Sequence, residues 1–214
     1  MGCILLSGDA FGQKMKLIGD SVEDVSVHSS QSKVDGKTAL RITKDSVVVA
    51  FDEPTFSRIN GVEFENGTIE VRVLSRVLPD APNFSRGFIG VAFRISDDNS
   101  EFESIYVRPS NGRADDQVRR NHTVQYFSYP DYKFDRLRKE TPEKYESYAD
   151  IGLNEWIDLK IVVKDSEAKL FINGSKQPTL IVNDLKHADR SGAIGLWVDV
   201  GTEGFFRDLR ITHN

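Results

Sequence analysis

Apolar and polar positions in this chain alternate with a period of two over short runs, and turn residues punctuate the runs. In 67–74, Ile69, Val71 and Val73 share one face while Glu70 and Arg72 take the other. In 88–95, Ile89, Val91, Phe93 and Ile95 oppose Gly90, Ala92 and Arg94. In 156–164, Ile157, Leu159, Ile161 and Val163 oppose Asp158 and Lys160, and in 193–199, Ile194, Leu196 and Val198 oppose Gly195, Trp197 and Asp199. The same reading predicts further strands at 16–18, 22–28, 38–43, 46–51, 102–108, 123–128, 168–172, 179–182 and 205–212. Between the runs stand Asp35-Gly36, Asn66-Gly67, Asn111-Gly112 and Asn173-Gly174, residues that tolerate the left-handed backbone of tight turns. Helical periodicity is almost absent. The pattern predicts an all-β chain, a two-sheet sandwich or jelly roll over 14–214, with 1–13 as an N-terminal extension or first strand.

Two stretches depart from it. Residues 101–129 read as two strands joined by the polar loop 108–122, which holds four Arg, two Asp and His122. Such a loop on a rigid scaffold either forms a binding site or pairs its own charges. Residues 132–148 are dense in charge and contain Pro142; they predict a short helix or long loop, either a solvated excursion or a flap over a binding face.

Composition narrows the partners. The chain has 214 residues, 39% hydrophobic and 29% charged, with a net charge of −5, which argues against nucleic acid as the main partner. No apolar run approaches the roughly 18 residues of a membrane span. Cys3 is the single cysteine, so an internal disulfide and a zinc site of paired cysteines are excluded. Met1–Gln13 shows no signal-peptide pattern and lacks the Ser or Thr at position 6 that a myristoylation motif requires.

The outer strand faces suggest chemistry. Gly90, Ala92 and Gly195 lower the sheet surface, and beside them stand Arg72, Arg94, Trp197 and Asp199. An indole offers a flat apolar surface to a sugar ring, and Arg with a carboxylate makes forked hydrogen bonds to hydroxyls or a uronate. The loop adds Tyr106, Arg108, Arg113 and Gln125 as candidate ligand contacts. His122, with Glu103 and Asp199, forms a candidate acid–base set. The partner this predicts is an oligo- or polysaccharide, bound on the outer sheet face.

Several motifs, Gly67-Thr68-Ile69-Glu70-Val71-Arg72-Val73, Gly87-Phe88-Ile89-Gly90-Val91-Ala92-Phe93-Arg94, Trp156-Ile157-Asp158-Leu159-Lys160-Ile161 and Gly192-Ala193-Ile194-Gly195-Leu196-Trp197, resemble the concanavalin A-like lectin/glucanase superfamily. Their order is similar to that of laminin-G-like domains and of the 3-keto-disaccharide hydrolase domain. The resemblance implies a jelly-roll sandwich of two curved antiparallel sheets whose concave face binds carbohydrate, with a glycoside hydrolase or polysaccharide lyase on the same face, or a laminin-G-like protein-interaction domain, as alternatives. It points to a secreted or periplasmic location. The retaining-glucanase strand motif is absent, Glu101-Phe102-Glu103 being the nearest approach. No organic cofactor is implied; by the resemblance, Asp208 stands where relatives hold a structural calcium ion.

Overall fold

The computed structural model describes residues 12–17, 19–187 and 190–214; the predicted opening strand therefore falls partly outside the described residues, at Ile18, as does most of the segment before Gln13. In chain order the strands are β1 (Gln13–Lys14), β2 (Val22–Val25), β3 (Val27–Val34), β4 (Lys37–Lys44), β5 (Phe56–Ile59), β6 (Gly67–Val77), β7 (Ile89–Ile95) and β8 (Phe102–Val107). After the short helices α1 (Pro109–Gly112) and α2 (Gln117–Asn121) come β9 (Val124–Tyr129), α3 (Phe134–Glu140) and β10 (Glu146–Ser147). The chain closes with β11 (Ile157–Lys164), β12 (Glu167–Ile172), β13 (Leu180–Val182), β14 (Ala193–Val198) and β15 (Thr202–His213).

Two antiparallel sheets result. One runs β13-β12-β11-β6-β15-β4-β3, with β1 also on β15; the other runs β10-β9-β8-β7-β14-β5-β2. Register aligns the apolar faces. Ile157, Leu159 and Ile161 pair with Val73, Val71 and Ile69, while Leu196 pairs with Val91 and Val91 with Ile105. All are buried in one core between the sheets. The sheets approach closely where β15 passes β14 and β7: a side chain added at Gly204 would lie 2.7 Å from Val198 and 3.1 Å from Ile89.

The outer face of the second sheet is also filled. β7, β8 and β14 are buried along their whole length. Trp197 packs against Tyr106 at 4.8 Å and Phe127 at 5.4 Å between ring centroids, and Phe127 continues the cluster to Phe102 and Phe56. The small residues make room for these rings and for backbone. A Cβ on Gly90 would lie 2.5 Å from Tyr106 Cβ and 2.3 Å from the Ile105 carbonyl, and one on Gly195 would lie 2.8 Å from the Phe56 ring. The rings are roofed by the turn at 50–55 and by α3, whose Leu137 is buried.

Where the prediction fails, the reason is tertiary. The run 46–51 finds no partner strand; it forms turns with Val47 and Val49 exposed. The strand β5, too short and too polar to stand out by alternation, pairs instead with β2 and β14.

Trp197→Ala should empty the centre of the aromatic cluster and cost about 3–5 kcal/mol of unfolding free energy in a urea titration. A loss under about 1 kcal/mol would contradict the buried position.

Candidate functional site

The site sits at one end of the second sheet's outer face, where the filled surface opens into a cavity of about 300 Å³. Three elements build it. Strand β8 carries Tyr106 and leads directly into Arg108. The loop after it forms α1, which begins at Pro109, and α2, whose first turn is capped by Asp116 accepting from the Arg119 amide at 3.1 Å. That cap brings Arg119 to the cavity wall and leaves His122 at the C-terminal cap of α2. The third element is α3, which supplies Phe134 and Arg138. Phe51 and Phe84 stand partly exposed at the mouth, 5.4 Å apart edge to face, with Phe134 6.2 Å from Phe51.

Two buried carboxylates face into it. Asp199 accepts from Lys44 Nζ at 2.5 Å, the Val200 amide at 2.7 Å and the Asp52 amide at 3.1 Å. Asp52 accepts from the Phe134 amide at 2.7 Å and holds a left-handed backbone, φ 53°. Burial, with the negative charge of Asp199 beside it, pushes the Asp52 carboxyl up to about 7, against the opposing pull of the Phe134 amide, Arg108 and Lys133. It therefore exchanges a proton near neutral pH.

Glu146, on the edge strand β10, anchors the opposite wall. It meets Arg108 at 3.2 Å, Arg138 through two hydrogen bonds and His122 Nδ1 at 2.8 Å. Burial raises its carboxyl, but Arg138, Arg108 and His122 outweigh this and hold it below the usual range. Burial lowers His122; Glu146 opposes that shift and the two arginines reinforce it, which favours the uncharged ring. Nδ1 lies 2.8 Å from the Glu146 carboxylate but off the line of a hydrogen bond.

Of the residues predicted from sequence, Tyr106, Arg108, His122 and Asp199 line this one cavity. Gln125 lies just behind, its Oε1 accepting from Arg108 at 3.3 Å. The others are elsewhere. Trp197 is wholly buried, its indole N–H donating to the Glu53 carbonyl at 3.0 Å, so it presents no platform to a sugar. Arg94 is buried and donates to the carbonyls of Glu65 and Asp165 and to Asn66 Oδ1. Arg72 projects from the first sheet and pairs with Asp158 at 2.5 Å. Arg113 is exposed and pairs with Asp150 and Glu155. Glu103 points into the core between the sheets and accepts from the Tyr126 hydroxyl and the His187 amide, apart from His122. Asp208 pairs with Lys14 and Arg207. Among the described residues no three His, Cys, Asp or Glu side chains gather into a metal-binding group. The sheet face itself is filled, and the open space beside it is the end cavity.

Asp52, Phe51, Phe84, Arg86, Arg138 and Glu146 went unnoticed in the sequence. The available signals were a carboxylate following the apolar run 46–51 shortly before Pro54, and the charged segment 132–148, which supplies α3 and β10. A larger groove of about 830 Å³ crosses the outer face of the first sheet. Its walls are alternating solvated side chains such as the Arg72–Asp158 pair, and it holds no buried titratable group.

This architecture, two curved antiparallel sheets with an aromatic and ionic cavity at one end, defines a lectin/glucanase-type jelly roll. The sequence model of the 3-keto-alpha-glucoside-1,2-lyase-like domain matches residues 29–212, and the chain belongs to that family. Its fold is similar to that of a prokaryotic beta-1,3-1,4-glucanase (lichenase) derived from a mouse hindgut metagenome, at TM-score 0.53 and 12% identity over 95% of this chain and 98% of that one. It is similar also to the carbohydrate binding module CBM66 from Bacillus subtilis, at 0.52 and 12% over 87% and 94%. A third similar structure is a protein of unknown function with galectin-like fold from Bacillus subtilis, at 0.51 and 10% over 87% and 88%. Neither the family model nor these structures carry a laminin-G description. No curated protein matches the sequence. No described helix is long and apolar enough to cross a membrane.

The Asp52 shift has a measurable sign. Below about pH 4 the carboxyl is protonated in both folded and unfolded chains. As pH rises from there to about 7, the unfolded chain releases the proton while the folded protein keeps it, so this group's contribution falls steadily and levels off above 7. Asp52→Asn removes the effect. Its unfolding free energy relative to the parent should rise by up to a few kcal/mol between about pH 4 and 7 in parallel urea titrations, and a flat difference would refute the shift.

Proposed function

We propose that this protein binds a saccharide in the end cavity and carries out a lyase-type elimination on a keto sugar there. The observation that carries this reading is the placement of His122, Asp52 and Arg108 in the lining of one aromatic-rimmed cavity, where burial beside Asp199 pushes the Asp52 carboxyl up to about 7. The family description, a 3-keto-alpha-glucoside-1,2-lyase-like domain, supports the substrate class.

The chemistry follows from the two groups. A ketone acidifies the C–H bond beside it. His122 Nε2 takes that proton, the electron pair forms a carbon–carbon double bond, and the glycosidic C–O bond breaks. Protonated Asp52 gives its proton to the departing oxygen, leaving an unsaturated ketone and a free alcohol. The Arg108 guanidinium, held by Tyr106, Gln125 and Glu146, stabilises the charge that builds on the carbonyl oxygen. Phe51, Phe84 and Phe134 at the mouth offer apolar surface to the sugar or its leaving group.

Incubated with a 3-keto glucoside, the protein should release the alcohol and generate enone absorbance, and the parent glucoside should not react. His122→Gln and Asp52→Asn should each lower the rate by about 10²–10⁴-fold. The pH–rate profile should be a bell, its alkaline limb near 7 from Asp52 and its acid limb below 6.5 from His122. Sugar binding without turnover of the keto substrate would reduce the protein to a binding module.

A further inference from the structure

The cavity carries more positive charge than its own carboxylates balance. Lys44, Arg86, Arg108, Arg119 and Arg138 stand in or directly against it, facing Asp52, Asp199 and Glu146. Lys44 is matched by Asp199, and Arg108 and Arg138 share Glu146. Asp52 is drawn toward its neutral form. That leaves Arg86 and Arg119. Among the described residues neither reaches a carboxylate. Arg86 Nη1 donates only to the carbonyls of Asn83 and Ser85, at 2.7 and 2.9 Å. Arg119 donates to Asn111 Oδ1 at 3.2 Å and to the Ser110 carbonyl at 3.5 Å.

These two arginines are held together from both sides of one residue. The Ser110 amide donates to the Arg86 carbonyl at 3.3 Å, and the Ser110 carbonyl accepts from Arg119. The guanidinium of Arg86 is lowered by its own burial and by the charges of Arg119 and Arg108, the signature of cations crowded without an anion between them. In a chain of net charge −5, exposed carboxylates are plentiful, yet none is placed here. Crowding like charges costs stability, and an anionic ligand group would offset that cost.

We propose that Arg86 and Arg119 form an oxyanion subsite of the cavity, and that the saccharide this protein takes carries a negatively charged substituent, a carboxylate or a sulfate ester, seated between them. The inference rests on the reading that the cavity binds a saccharide, and it narrows the substrate to acidic sugars. Guanidinium pairs suit this task because each presents parallel N–H donors to the oxygens of such a group.

The test is a titration calorimetry series with the full chain and three 4-nitrophenyl glycosides of the same anomer that differ only at C6: the glucoside, the glucuronide and the glucoside 6-sulfate. At low salt the acidic ligands should bind at least about tenfold more tightly than the glucoside, and raising the salt should shrink that advantage. In Arg119→Gln, and separately in Arg86→Gln, the acidic-to-neutral ratio should fall to within about threefold. Preference for both acidic ligands indicates a general oxyanion site; preference for the glucuronide alone indicates fork recognition of a planar carboxylate. Equal or tighter binding of the neutral glucoside overturns the acidic subsite and leaves the saccharide reading standing. An advantage that survives both substitutions also overturns it. Failure of all three ligands to bind overturns both readings.

Discussion

The ion pair between Lys44 and Asp199 is the constraint on which the site end of the molecule depends. Both side chains are almost wholly buried, 4% and 2% exposed. Lys44 ends β4 in one sheet and Asp199 follows β14 in the other, so the pair bridges the layers. Desolvating two charges is expensive, and the surrounding hydrogen bonds offset it. Lys44 also donates to the Ala50 carbonyl, and Asp199 also accepts from the amides of Asp52 and Val200. Those contacts hold the turn at 50–55 against the sheet. Once that turn is fixed, the Glu53 carbonyl meets the Trp197 indole and Asp52 meets the first amide of α3.

The closed sheet face follows from the same arrangement. A long apolar outer face must be covered by a ligand, a partner or the chain itself. Here the chain does it, with Tyr106, Phe127 and Trp197 interlocked over Gly90 and Gly195 and the 50–55 turn and α3 above them. The open cavity lies instead at the end of the sheet, where β8 runs out into α1 and α2. Polar groups are concentrated there because chain turns, α-helix ends and strand ends meet at one place, and buried backbone and charged groups need partners.

Glu146 organises the far wall in a comparable way. One carboxylate ties β8 through Arg108, α3 through Arg138 and the end of α2 through His122. The tie places the histidine ring and holds the segment 132–148 against the sheet. The histidine and the protonatable aspartate are therefore products of one connected network of buried charges, each position depending on the others.

The sequence by itself determined the strands and their inward faces. Ile69, Val71 and Val73, or Leu196 and Val198, are legible because a strand's period of two is a local property and burial of one face is nearly obligatory. It also singled out the loop 108–122 with Tyr106, Arg108, His122 and Asp199, polar residues conspicuous against an apolar pattern, and the fold brings these four side chains to one cavity. Only the tertiary structure decided what covers the other face. Trp197 reads as an exposed platform until Glu53, 144 residues earlier, is placed above it. The run 46–51 reads as a strand until it finds no neighbour, and Arg94, Arg72 and Arg113 read as site residues until each meets its own acceptor. Asp52 became visible only through burial beside Asp199. Alternation records which side of a strand a residue takes, whereas a site requires knowing which distant segments arrive on that side, and that is set by packing between residues far apart in the chain.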